Sequence, residues 1–294
     1  MDLAIATISQ GLLWSLLAIG VYITFRVLDI ADLTVEGSFP LGAAVAAKLL
    51  TSGTHPVTAI LVACLAGMLA GIVTGFLCTK LRIPALLAGI LTMIALYSVN
   101  LRIMGRANIP MLQVDTIFTK FQFGGMEPAM MVLLMGFLIV LIVGLISYWF
   151  FGTEIGAAIR ATGDNAHMIR ANGVNTDIMV VLGLLLSNGL VAISGALVAQ
   201  SNGFADVGMG VGTIVIGLAS VIIGEVLFGT RSFRNCLISV VLGSIVYRIV
   251  IAAVLEMGMP PNDLKLFTAI LVAIALSLPL IQARIKRHKL GAEE

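Results

Sequence analysis

Residues 128–151, from Pro128-Ala129-Met130 to Trp149-Phe150-Phe151, carry no charged side chain, and similar runs recur along most of the 294-residue chain. A helix needs about 20 mostly apolar residues to cross a bilayer, and lipid supplies no water to satisfy backbone polar groups, so only helices and closed barrels span it. Unbroken apolar runs of this length are helical, not barrel strands. Composition agrees: 60% of residues are hydrophobic and only 11% charged, with mean hydropathy +1.11, whereas soluble domains are about one-quarter charged. A soluble fold is excluded. Spans are expected near 5–25, 56–79, 83–101, 128–151, 178–200, 208–228, 235–255 and 266–283, with a shorter one near 37–52. The expected fold is an all-α polytopic membrane protein of about nine transmembrane segments, one transmembrane domain over residues 1–294. Met1-Asp2 offers no basic leader region and the apolar stretch behind it no small-residue cleavage site, so the first span is expected to stay in the mature protein.

The basic residues lie unevenly. If Arg284, Lys286, Arg287 and Lys289 in the tail at 284–294 are cytoplasmic, alternation puts Arg26, Lys80, Arg82, Arg160, Arg170, Arg231 and Arg234 inside as well. Only Lys48, Arg102, Arg106, Lys120 and Lys265 then face out. Cytoplasmic loops are enriched in Lys and Arg, so the chain is expected to place its N-terminus outside and its C-terminus inside. The basic residues form no continuous patch, and no nucleic-acid partner is expected. Cys64, Cys78 and Cys236 all fall in apolar runs and read as small core residues.

Two interruptions share a pattern. Ala31-Asp32-Leu33-Thr34-Val35-Glu36-Gly37-Ser38 follows the first span, and Ala205-Asp206-Val207-Gly208-Met209-Gly210-Val211-Gly212 precedes a later one. One faces each side of the membrane, the arrangement expected of inverted repeat halves with a broken second helix, and a solute pathway lies at such breaks in many transporters. Ordinary turns rich in Asp and Gly are the alternative. Asp32, Thr34, Glu36, Ser38 and Pro40 are the candidate pathway residues here, joined by Asn100 and Asn188, which are otherwise explained as hydrogen-bonding glue between helices. Glu225 and Arg248 also sit in apolar runs, where a charge costs about 2.5 to 3.5 kcal/mol at the helix centre. They are expected to pair with each other or with neighbours. Gly67, Gly71 and Gly75 repeat every four residues and should let another backbone approach closely.

Residues 152–177 form the most polar stretch between long spans. Thr153 can cap a short helix ending by Gly163, and Asp164 a second that ends at Asn172-Gly173. The small apolar faces, Ile155, Ala158 and Ile159, then Ala166 and Ile169, suit a groove on a partner protein, with Arg160 and Arg170 available to pair with it. A solvated linker is the alternative. The loop from Arg102 to Glu127 is polar and outward, and could dock an external protein through charged contacts.

Chemistry is sparse. The chain has no Gly-x-x-x-x-Gly-Lys-Ser/Thr phosphate loop, and its histidines, His55, His167 and His288, lie near loops or ends. No metal site, catalytic residue or enzyme activity is expected, and no cofactor bound by this chain.

Thr153-Glu154-Ile155-Gly156 through Arg160-Ala161, Asn165-Ala166 and Gly173-Val174 resembles the cytoplasmic loop of the permease subunits of branched-chain amino acid and ribose-type ABC importers, and the likeness covers nearly the whole chain. Asp32-Leu33-Thr34-Val35-Glu36-Gly37-Ser38-Phe39 and Gly217-Leu218-Ala219-Ser220-Val221-Ile222-Ile223-Gly224-Glu225 resemble a subgroup whose binding proteins are linked to tryptophan, tyrosine or other amino acids. The resemblance implies a coupling helix seated in an ATPase subunit that holds the ATP and Mg, and assigns Glu154, Ile155, Gly156, Ala158, Ile159, Arg160, Gly163, Asp164, Asn165, Arg170 and Gly173 to that contact. It also implies a homodimer, an external substrate-binding protein and a bacterial inner membrane. Gly156-Ala157-Ala158 departs from the Glu-Ala-Ala pattern of maltose-type importers, so their fold is not expected. A stand-alone secondary transporter, and the same architecture carrying a sugar or nucleoside, are the alternatives.

Overall fold

The computed structural model describes residues 2–120 and 127–258, together with 263, 266–270, 273, 274 and 277. Helix α1, Asp2–Tyr22, runs on through a π-turn at Ile23–Val27. After a non-helical climb over 28–34 come α2 (Val35–Thr51), α3 (Pro56–Thr79) and α4 (Ala85–Met104). A short strand β1 (Asn108–Pro110) and a single turn α5 (Ile117–Lys120) lead to α6 (Pro128–Phe151). Then follow α7 (Glu154–Ala171), α8 (Thr176–Asn202), strand β2 (Phe204–Asp206), a 3-10 turn at Val207–Gly210, α9 (Thr213–Phe228) and α10 (Phe233–Glu256).

Among the described residues seven helices are long and apolar enough to cross a membrane, counting Leu3–Val27 and Val207–Phe228 as single segments. The short segment expected near 37–52 is α2, whose 17 residues extend only about 25 Å. It is continuous through Pro40; the interruption lies ahead of it, between Val27 and Val35. The segment expected near 266–283 falls largely outside the described residues, as does the tail at 284–294.

The helices alternate in direction. One end of the bundle gathers Arg26, Lys80, Arg82, Arg160, Arg170, Arg231 and Arg234 and is called the basic end; α1 starts at the opposite end, and α2 returns there. Without a hydrophobic drive between helices in lipid, close backbone packing and small polar side chains must hold the bundle. The glycine stripe does this for α3. A Cβ on Gly67 or Gly71 would overlap the carbonyl oxygen of Asn188 or Leu184, and one on Gly75 would press on Val181, so α3 lies directly on α8. Gly42 meets the Ala192 backbone and Gly195 the Phe39 carbonyl, which brings α2 equally close to α8. Serines lace α1 into place: Ser187 Oγ donates to the Gly20 carbonyl, Ser194 Oγ to Leu13 and Ser244 Oγ to Gly11, each at 2.8 Å.

The polar loop from Arg102 to Glu127 is partly tied down. Strand β1 pairs antiparallel with β2, Ile109 opposite Ala205, and Gln200 Oε1 accepts from the Ile117 amide at 2.9 Å. Ile109, Met111, Ile117 and Phe118 are buried, while Arg106, Leu112, Gln113 and Asp115 are exposed.

Candidate functional site

Asp32 turns the climbing segment into α2. Its Oδ1 accepts from the Thr34 amide at 2.9 Å, the side-chain-to-backbone turn that favours Asp just before a helix. Its Oδ2 accepts from Asn188 Nδ2 at 2.8 Å, and Asn188 Oδ1 in turn accepts from Ser38 Oγ at 2.6 Å. Asn188 is twelve residues into α8, so the carboxylate lies about 18 Å from that helix's start, inside the bundle. It is 3% exposed, and Thr34, Ser38 and Asn188 are wholly buried.

The polar centre extends on both sides. Thr34 Oγ1 shares a hydrogen bond with Thr74 Oγ1 at 2.7 Å, and Thr74 donates to Thr92 at 3.0 Å, joining α2 to α3 and α4. Asn100 Nδ2 donates to the Gly37 carbonyl at 3.2 Å, while its Oδ1 is buried without a partner. Glu36 Oε1 accepts from the Gly212 amide at 3.0 Å, at the start of α9. That amide is one of the unpaired donors at a helix N-terminus, where the dipole favours an anion. Gly212 has φ +87°, the left-handed turn that aims the amide back at Glu36. Gly210 packs on the Glu36 carbonyl and the Pro40 ring. The two interruptions therefore meet: the start of α2 rests against the start of α9.

All seven candidate pathway residues, Asp32, Thr34, Glu36, Ser38, Pro40, Asn100 and Asn188, are thus neighbours around the first turns of α2. Gly212, the last residue of the second interruption, completes the cluster with Thr74 and Thr92, which carried no sequence signal of their own, since Thr is ordinary in membrane helices.

At the basic end, α7 lies across the bundle. Thr153 Oγ1 accepts from the Gly156 amide at 3.3 Å, the N-cap expected. A kink divides the helix at Asn165, φ −158° and ψ 91°. The second half is capped by Asn165, whose Oδ1 accepts from the Met168 amide at 3.0 Å, one residue beyond the expected Asp164. Gly173, φ +85°, ends it.

The face of α7 differs from the expectation. Ile159 and Ile169 are buried in the protein's own core, Ile159 beside Val27, Leu28 and Phe151. A helix lying on a bundle end covers apolar surface with its own apolar stripe, so these side chains turn inward. Ile155 and Ala166 of the expected faces are exposed, along with Glu154, Asp164, Asn165, His167 and Met168, and Ile155 and Met168 are about half exposed. Arg170 is engaged within the chain, Nη2 on Asp177 Oδ1 at 2.9 Å and Nε on Thr176 Oγ1 at 2.8 Å. Arg160 lies over the Phe233 ring at 5.5 Å. Gly156 and Gly163 are the seats: a Cβ there would overlap the carbonyl oxygens of Phe150 and Val27. Through Gly163, α7 rests on the last residue of the π-turn, five residues before Asp32.

Glu225 and Arg248 do not pair with each other. Arg26 of the π-turn binds Glu225 of α9 through Nη2 and through Nε at 2.9 Å. Arg248 lies 4.2 Å from the centroid of the Trp14 ring, a cation–π contact, and Trp14 in turn stacks near Phe39 at 4.9 Å.

A family model described as branched-chain amino acid transport system / permease component matches residues 3–276. A tyrosine transport system permease protein of Clostridioides difficile (strain R20291) is 41% identical over 283 residues, covering 96% of this chain and 93% of that protein. An uncharacterized protein of Rickettsia prowazekii (strain Madrid E) is 36% identical over 287 residues, 94% of this chain and 98% of the relative. An autoinducer 2 import system permease protein of Yersinia pseudotuberculosis (serotype O:3, strain YPIII) is 30% identical over 182 residues, 61% of this chain and 50% of the relative. No solved structure matches the chain.

Proposed function

The chain belongs to the branched-chain amino acid transport system permease family, and from that membership we propose that it is the membrane subunit of an ATP-driven importer carrying an amino acid, with an aromatic one favoured. The tyrosine transport permease at 41% identity supports the substrate class. The reading includes a homodimer, ATPase subunits that bind ATP and Mg on the basic end, an external binding protein at the β1–β2 end, and about nine segments in two inverted halves. The matching order α1, interruption, α2 and α8, interruption, α9 supports the halves. The excess of basic residues at one end supports a cytoplasmic face there, and with it a multi-pass protein of the bacterial inner membrane whose C-terminus is cytoplasmic.

The observation that carries the mechanism is the seat of α7. An ATPase pressing on Ile155 and Met168 displaces α7, and Gly163 passes that displacement by backbone contact to Val27, at the foot of the climb to Asp32. The Arg26–Glu225 pair passes it to α9. Both broken elements then move together about the Glu36–Gly212 contact. In the conformation described, the polar centre is closed by its own hydrogen bonds, and opening exposes Asp32, Ser38 and Asn188 as pathway groups.

The test is purification of the tagged chain with its native partners, followed by vanadate-sensitive ATP hydrolysis with Ile155→Asp and Met168→Asp. Both side chains are exposed, so the fold is expected to survive while hydrolysis uncouples from solute. The buried carboxyl group of Asp32 and the half-buried one of Glu36 also favour a second reading, a secondary transporter. An ATP-silent chain that moves solute on a proton or sodium gradient would establish that one and sink the first.

A further inference from the structure

A cavity of about 570 Å³ of mixed lining lies where α6, α7 and α10 meet, with Arg160, Arg234, Thr153 and Ser232 set among Tyr148, Trp149, Phe151 and Phe233. The Nε of Arg160, one of the lining residues, is buried and has no hydrogen-bond partner. Tyr148 and Arg234 also close one end of a second cavity, of about 900 Å³, whose other walls on α1, α6 and α10 are wholly apolar. The walls on α6 run from Met130 to Tyr148, about 27 Å of helix beside a hydrocarbon thickness of about 30 Å. Gly144 leaves the floor open, since nothing lies within 4 Å of where its Cβ would be. At the junction Trp149 is 71% exposed, as aromatic side chains are at the headgroup level.

An apolar slot with two guanidinium groups and an aromatic rim at one end has the polarity of an amphiphile, and guanidinium matches phosphate with paired hydrogen bonds. We propose that the joined cavities hold an anionic phospholipid, its acyl chains between α6 and α10 and its phosphodiester on Arg160 and Arg234. The ligand belongs to the membrane, so the proposal is independent of what solute is carried. Its consequence is regulatory: Arg160 belongs to α7, so lipid at this site braces that helix from beneath.

The test uses the full chain in mild detergent, with bound phosphatidylglycerol and phosphatidylcholine counted by native mass spectrometry after exchange against each. Expected are a preference of about tenfold or more for phosphatidylglycerol, and its loss by about tenfold in Arg160→Gln and in Arg234→Gln, the scale of one charge-assisted hydrogen bond. Gly144→Phe should lower both lipids alike by filling the floor, without touching the arginines. Equal retention of the two lipids by the unaltered chain, or phosphatidylglycerol binding indifferent to all three substitutions, overturns the proposal. So does efficient disulfide linkage between copies carrying Leu141→Cys, which would give the groove to a second copy of the chain.

Discussion

Asp32 is a carboxylate deep in the bundle that takes part in neither ion pair among the described residues; its oxygens are met by an amide and by Asn188. A buried carboxyl group without a counter-charge depends on such donors, and stripping one leaves an unsatisfied group costing about 1–3 kcal/mol or more. Asn188→Leu is therefore expected to destabilise the chain by at least that amount, because it removes the donor to Asp32 Oδ2 and the acceptor of Ser38 Oγ at once. Asp32→Asn, which keeps a hydrogen-bonding oxygen and removes the charge, should cost less. Thermal unfolding in detergent, followed by tryptophan fluorescence, ranks the two; the reverse order would show that the charge itself is stabilised. Each residue was legible from sequence as a polar side chain in apolar surroundings. Their pairing was not, because no periodicity relates residues 156 positions apart. A separation of 199 positions likewise hid Arg26 as the partner of Glu225.

Helix α7 was legible in its caps and limits but not in its orientation. Thr153 and Gly173 sit where local backbone chemistry puts them, whereas the direction of Ile159 and Ile169 depends on what lies beneath. The glycine stripe on α3 succeeded for the opposite reason: a face without side chains announces close approach whatever helix provides it. At the α7 seat, Gly163→Val would drive a side chain into the Val27 carbonyl, at about 1–3 kcal/mol for such overpacking. The expected result is faster tryptic cleavage at Arg160 and Arg170 together with loss of solute-stimulated ATP hydrolysis. Gly173→Asn, in open space and at a positive φ that Asn tolerates, should alter neither. Equal resistance of both variants to trypsin would remove Gly163 from the transmission route.

Over the whole molecule, hydropathy delivered the seven long apolar helices found among the described residues, of the nine segments expected, and left the meeting of the two interruptions to tertiary packing, since neither motif encodes which helix it will face. The proposed placement of the basic end in the cytoplasm makes a direct prediction. With native cysteines replaced, His167→Cys should react with an impermeant maleimide only in inside-out vesicles, and Gln113→Cys only in right-side-out ones; reactivity of both from one side would refute the topology. Helix α2 has a further consequence for biosynthesis. At 17 residues, with Glu36 in its first turn and Lys48 in its last, it partitions poorly into lipid by itself, and the surface it requires on α8 is translated some 150 residues later. Nascent α2 must wait at the translocon, or in water at its exit, until that surface arrives. Ribosome-stalled chains that end before α8 should leave Ser38→Cys open to a water-borne label, and chains that include Asn202 should conceal it. The folding unit of this permease is then not a hairpin added at each step but a closure deferred until its second half is made.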